Sequence, residues 1–432
     1  DNQGNFGADG IVGPHHEKEG SFYTIKQLWS PVQIMNTSVD KQFDGKFSVE
    51  NRYDFLNLNT CRFLWKQVKF PTATDASNTT AQVLKQGEVQ GSDVAAHLAG
   101  VLDIKTTILP DADALFLTAI DRYGHELWRW TFPVNKLNQA NEVLSPLSNK
   151  VTSTETENEL TVKAKNHTFI FSKKDGQLKG VSVNNRKISF ANGPRFIGAR
   201  RADRSLDQFY NHDDEKAKEK DRTYSEFPDA AVFTKLDVKE DGGNLIVTAD
   251  YKLGNLDKVQ WTINPNGEAV LDYTYNFSGV VDLMGICFDY PEDQVISKRW
   301  LGAGPYRVWQ NRIHGTQYDV WENDYNDPIP GETFTYPEFK GYFGSVSWMN
   351  IRTKEGTISL TNETPDAYIG VYQPRDGRDR LLYTLPESGI SVLNVIPPVR
   401  NKVNSTDLCG PSSQPKWVNG PQSGRIIFRF ME

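Results

Sequence analysis

The chain has 432 residues, a formal net charge of −7 and a pI near 5.6. That length predicts about two to three domains. The acidic balance argues against nucleic acid as the main partner, because phosphate binding needs a basic face. No run of about eighteen apolar residues is present to span a membrane.

Aromatic residues make up 12% of the chain, with ten Trp, seventeen Tyr and twenty-three Phe. Most of that load suits large β cores, and a minority is left for stacking on sugar rings. The cysteines are Cys61, Cys287 and Cys409. With no CxxC spacing they imply neither a metal site nor a disulfide framework. Asp1 is not an initiator, so upstream residues and any address in them are expected outside this sequence. A periplasmic or secreted location is expected over a cytoplasmic one.

In chain order, "EGSFYTIKQLW" sets Phe22, Ile25 and Trp29 at helical spacing, and Pro31 ends that helix. From Val32 to about Val134 the pattern has period two, in "FSVENRYDFLNL", "FLWKQVKF", "ALFLTAIDRYG" and "ELWRWTFPV". The strand spacing fits an immunoglobulin-like β-sandwich over 31–135. Residues 136–158 are polar and read as a linker. From 159 to 432 come many short strands, among them "VQWTINPNGEAVLDYTYNF", "GTISLTN" and "SGRIIFRF". They predict one large sandwich or two. "DDEKAKEKDR", 213–222, reads as a solvated charged segment.

The stretch "RWLGAGPYRVWQNR", 299–312, ends a strand in Gly302, Gly304 and Pro305, then crowds Tyr306, Arg307, Trp309 and Arg312 together. Glycines there suggest positive φ in a turn stiffened by Pro305. Arginines beside tryptophans suggest stacking that stiffens it further. Both features favour structure over chemistry. The acids Asp319, Glu322 and Asp324 form a polar cluster of an ordinary kind. His15 and His16 are adjacent and do not face one ion.

Taken with "YDVWENDYNDPIPGETFTYPEFKGYFGSVSWMNI", that stretch resembles the C-terminal domain of bacterial β-galactosidases of glycoside hydrolase family 2. "NHTFIFSKKDGQLKGVSVNNRKI", "FANGPRFIGARRADRSLDQF" and "DLCGPSSQPKWVNGPQSGRIIFRF" are similar to other parts of that domain, in the same order. "NFGADGIVGPHHEKEGSFYTIKQLWSPV" resembles the last strand and helix of the family's (β/α)₈ barrel. The resemblance covers nearly all of this chain and only the C-terminal part of the family architecture.

It implies a mainly β fold. Residues 1–30 would be a barrel remnant, 31–135 the immunoglobulin-like sandwich and 159–432 a galactose-mutarotase-like supersandwich. The parent would be a retaining glycosidase of terminal β-galactosides, with its glutamate pair upstream of Asp1 and none in this chain. This part would complete the substrate cleft and subunit contacts, with a β-galactoside or other carbohydrate, the rest of the parent enzyme and a homo-oligomer as partners.

The resemblance makes Trp417 the sugar platform of the terminal loop, although "GPSSQPK" lacks the family's acidic pair before it. It places His212, Asp213 and Asp214 at the site entrance. It implies a sodium site at the Phe6 carbonyl and Asp9 side chain, where the family has Asn; sodium or magnesium would then belong to the complete enzyme, with no cofactor in this chain alone. Two other readings stand beside it. One is a carbohydrate-binding module that does not hydrolyse. The other is a mutarotase-like domain using His212, His314 and Glu322 as acid and base.

Overall fold

A computed structural model describes residues 11–12, 16, 18, 20–75, 80–134, 150–201, 224–324, 341–371, 386, 388–398 and 410–432. The described chain is mainly β, as expected. Its α-helix, α1, is Gly20–Leu28.

The first domain is a sandwich of two antiparallel sheets. The three strands Val32–Ile34, Lys46–Asn51 and Ala99–Asp103 face the four strands Gln82–Gln90, Arg62–Lys69, Ala114–Ile120 and Glu126–Pro133. Three strands against four is the arrangement expected of an immunoglobulin-like domain. Alternation decides which side chains enter. In Lys46–Asn51, Phe47 and Val49 are fully buried and meet Phe63, Leu115 and Phe132 from the other sheet.

The second domain stacks a nine-stranded sheet on a ten-stranded one. Its ten-stranded sheet starts with Thr152–Glu155, inside the polar stretch read as a linker. All four residues are exposed on an edge strand, so pairing with Glu159–Ala164 needs no apolar signal. Between the sheets lies an aromatic core. Phe288 of one sheet and Phe190, just before its strand Ala191–Arg201, meet Phe428 and Trp261 of the other, with centroids 5.1 to 6.1 Å apart. These side chains are almost wholly buried. Pairs at such distances each add about 0.5–1.5 kcal/mol beyond burial.

The two domains share a smaller core. Val68, Phe70 and Phe116 of the sandwich pack on Leu301 and Trp348 of the nine-stranded sheet. The Trp348 indole N–H donates to the Pro71 carbonyl at 3.1 Å, and Arg129 pairs with Asp319 at 3.0 Å. Asp319 is thus an interdomain strut.

α1 spans the same junction, although its apolar stripe does not hold it there. None of its residues is buried, and Trp29, just after it, is 77% exposed. Polar contacts and one ring pair do the work. Tyr23 packs on Tyr306 at 5.0 Å, Thr24 donates to the His314 carbonyl, and the Gly315 N–H donates to Gln27. On the other side Lys26 pairs with Glu126 of the sandwich at 2.8 Å.

The stretch 299–312 proves structural for a different reason from the one expected. Gly302 and Gly304 lie in the extended strand Val295–Gly304. Gly304 is required by close approach, since a Cβ there would sit 2.4 Å from Trp321 Cδ1. Trp321 lies over that backbone and donates to the carbonyls of Gly302 and Gln317.

Two outcomes are expected. Trp348→Ala should cost about 3–5 kcal/mol, as for other buried tryptophans, and calorimetry should resolve separate melting of the two domains. The second concerns His167, which is buried, with Nε2 2.8 Å from the Phe430 carbonyl and Nδ1 without a partner. Burial holds its pKa below the ordinary histidine value. The unfolded chain therefore takes up a proton first, and stability should fall as pH drops below about 6.5 towards the depressed folded value. Urea titrations between about pH 5 and 7.5 should show that slope, and His167→Gln should flatten it.

Candidate functional site

Trp417 stands near the start of the last strand, Lys416–Met431, opposite Val280 of Ala269–Val281. Strand alternation sends Val418, Ile426 and Phe428 towards the core and Trp417 to the other face, where it is 69% exposed. Two residues beyond it Asn419 meets Ser278 on the same face at 2.7 Å.

The chain passes from one large sheet to the other beside this tryptophan. Ala269–Val281 belongs to the nine-stranded sheet and Leu283–Asp289 to the ten-stranded one, with Asp282 as the single residue between. The Asp282 N–H donates to the Ala199 carbonyl, which ties the corner. Trp417 therefore sits on a short, fixed corner.

The segment before Trp417 is held by the motif that begins at Arg299. Val308 and Trp309 pack with Tyr342 on the outer face of the ten-stranded sheet, against Ile197, Leu283 and Leu393. Trp309 and Arg312 exchange backbone hydrogen bonds, closing a tight turn. That turn presents Gln310 and Asn311. Gln310 Nε2 donates to the carbonyls of Ser412 at 2.8 Å and Gln414 at 2.7 Å. Asn311 Nδ2 donates to Ser413 Oγ at 3.0 Å. Two adjacent amides thus clamp three residues of the loop that leads into Trp417. Sequence reading had passed over this pair, because its partners lie about a hundred residues away and only the aromatics and arginines stand out locally. The "WQNR" amides were the available signal.

The other sequence candidates take different places. Phe6, Asp9, His15, His212, Asp213 and Asp214 lie outside the described residues, so no metal site is derived from Phe6 and Asp9. Arg307 is buried, and Arg299 lies over the Trp348 ring at 5.3 Å. His314 is exposed in the loop that meets α1, and Glu322 is exposed on Gln317–Asp324 opposite Arg299. The Asp324 carbonyl accepts from Lys298, a lysine with no exposed surface. Among the described residues, no group of three or more His, Cys, Asp or Glu could hold a metal ion. Cys61 and Cys287 are buried and free. Burial raises the pKa of both thiols, which disfavours the reactive thiolate. The corner at Trp417 thus offers a flat apolar face and hydrogen-bonding amides, an arrangement for binding.

A family model of the β-galactosidase small chain matches residues 163–395, just over half of the chain. The chain belongs to the β-galactosidase small-chain family. Among curated proteins it is similar to a β-galactosidase of Priestia megaterium, 22% identical over 384 residues. That match takes in 84% of this chain and 34% of the relative, so the chain spans about a third of the relative's length. Among solved structures it is similar to a galactose 1-epimerase of Lactobacillus acidophilus, at 10% identity and a TM-score of 0.34, covering 65% of this chain and 98% of that one. A copper-containing benzylamine oxidase of Hansenula polymorpha aligns at 7% identity and a TM-score of 0.27, covering 95% of this chain and 79% of that one.

In this small-chain family member Gln310→Ala removes two hydrogen bonds to loop carbonyls. Each contributes about 0.5–1.5 kcal/mol. The expected outcome is faster proteolytic cleavage around residues 410–415, with the melting temperature of the aromatic core little changed.

Proposed function

We propose that the chain is the C-terminal part of a retaining β-galactosidase of glycoside hydrolase family 2, and that it completes the substrate cleft without supplying the catalytic carboxylates. One observation carries the reading: an indole 69% exposed on a clamped corner of a β-galactosidase small-chain fold. An exposed large aromatic on a rigid support loses little side-chain entropy when a ligand covers it.

The chemistry follows from what each part can offer. Retaining hydrolysis needs two carboxyl groups roughly 5–5.5 Å apart, one as acid and base, one as nucleophile. In this reading both lie upstream. Trp417 then presents its face to the C–H groups of a galactopyranose and orients the ring, with Asn419 and Ser278 beside it as polar neighbours. His212 and Asp213 would line the entrance to the same cleft, and Phe6 and Asp9 would help to hold a cation in the complete enzyme. The carbohydrate, the upstream barrel and further copies of the subunit are the partners this reading implies.

The test uses the enzyme that carries the upstream barrel. Covering about 50 Å² of apolar surface is worth about 1.3 kcal/mol, or roughly tenfold in affinity. Trp417→Ala is expected to weaken binding of a galactoside inhibitor by about that factor while the melting temperature holds. A large loss of stability with unchanged sugar affinity would make Trp417 a packing residue.

A further inference from the structure

The solvent-facing side of the nine-stranded sheet carries an open pocket of about 420 Å³. Strands Leu256–Ile263, Ala269–Val281 and Lys416–Met431 form its floor, and the turn at Glu363 and Pro365 forms a wall. Its centre is a chain of charges. Arg425 lies 3.4 Å from Asp272 and 3.3 Å from Glu363. Both separations are longer than a good N–H···O bond, so the carboxylates and the guanidinium retain hydrogen-bonding capacity. Lys258 and Gln260 line the other side.

The charges decide the class of ligand. Lys258 and Arg425 balance Asp272 and Glu363, so neither a metal ion nor a phosphate is favoured. Donors and acceptors alternate around the pocket, which suits a neutral molecule whose groups do both. Hydroxyls of a sugar ring are such groups. The volume lies within the usual range for small-molecule sites, about 300–1,000 Å³.

The fold sets what lies beneath the pocket. Strand alternation turns Tyr273, with Leu271 and Tyr275, into the core between the sheets, away from Asp272 and Thr274. Opposite Tyr273 in register stands Gly424. A Cβ at that position would lie 2.3 Å from the Tyr273 hydroxyl and 2.5 Å from Thr364 Oγ1. Glycine there leaves room for the phenol and Thr364 under the turn that forms the pocket wall. Burial also raises the pKa of the Asp272 carboxyl, partly offset by Arg425.

We propose that this pocket binds a neutral mono- or disaccharide, with Asp272 and Glu363 accepting from its hydroxyls and Arg425 and Gln260 donating to it. The site does not rest on the reading of Trp417. Eight residues of extended strand separate Trp417 from Arg425, roughly 27 Å.

The experiment is therefore run on the Trp417→Ala chain, using galactose and lactose as probes in saturation-transfer NMR and calorimetric titration. Both sugars are expected to bind. Asp272→Asn is expected to weaken binding about tenfold, as for loss of a hydrogen bond to a charged group. If Asp272→Asn fails to fold, Gln260→Ala provides the same reading. Absence of saturation transfer to the Trp417→Ala chain would overturn the proposal. So would sugar affinity that is the same in that chain and in the pocket variants.

Discussion

The second domain depends on the contact between its two large sheets. Each sheet has one apolar face that is unstable in water, and the aromatic layer around Phe190, Phe288, Phe428 and Trp261 covers both at once. Burial of that layer fixes the spacing of the sheets. The corner at Asp282, the position of Trp417 and the polar pocket opposite all inherit their geometry from it. The exposed surface lies wherever strand alternation turns residues away from that layer.

The junction between the domains follows different physics. A few apolar residues, Phe70, Phe116, Leu301 and Trp348, exclude water there. Around them the contacts are directional, through Arg129 with Asp319, Trp348 with Pro71 and α1 with the His314–Gly315 turn. Directional contacts contribute modest energy and set orientation. That division holds one domain at a definite angle to the other.

Much of the architecture was legible in the residues, and the reason is periodicity. Alternation over Lys46–Asn51 and the apolar run of Ala114–Ile120 report burial directly. The edge strand Thr152–Glu155 was not legible, because an exposed pairing partner needs no apolar residue. The motif at 299–312 was legible as structural and illegible in its mechanism. Its Gly304 answers to the bulk of Trp321, and its Gln310 answers to carbonyls a hundred residues on. Trp417 was singled out by the family resemblance as part of a terminal loop, and it lies instead in the strand Lys416–Met431, just after that loop. The pocket around Asp272 could not, since its walls come from four separate segments and none of them is unusual alone.

The last strand has a consequence for how the molecule is made. In the nine-stranded sheet Lys416–Met431 lies between Ala269–Val281 on one side and Gly356–Asn362 on the other. These two halves of the sheet meet only through it among the described strands. During synthesis from the N-terminus, each half must therefore wait with an open edge until the sixteen-residue strand Lys416–Met431 leaves the ribosome. Open edges invite wrong pairing. The described strands of the first sandwich run from Val32 to Pro133 and can close earlier, but the nine-stranded sheet can only form as a unit, once Lys416–Met431 has been made.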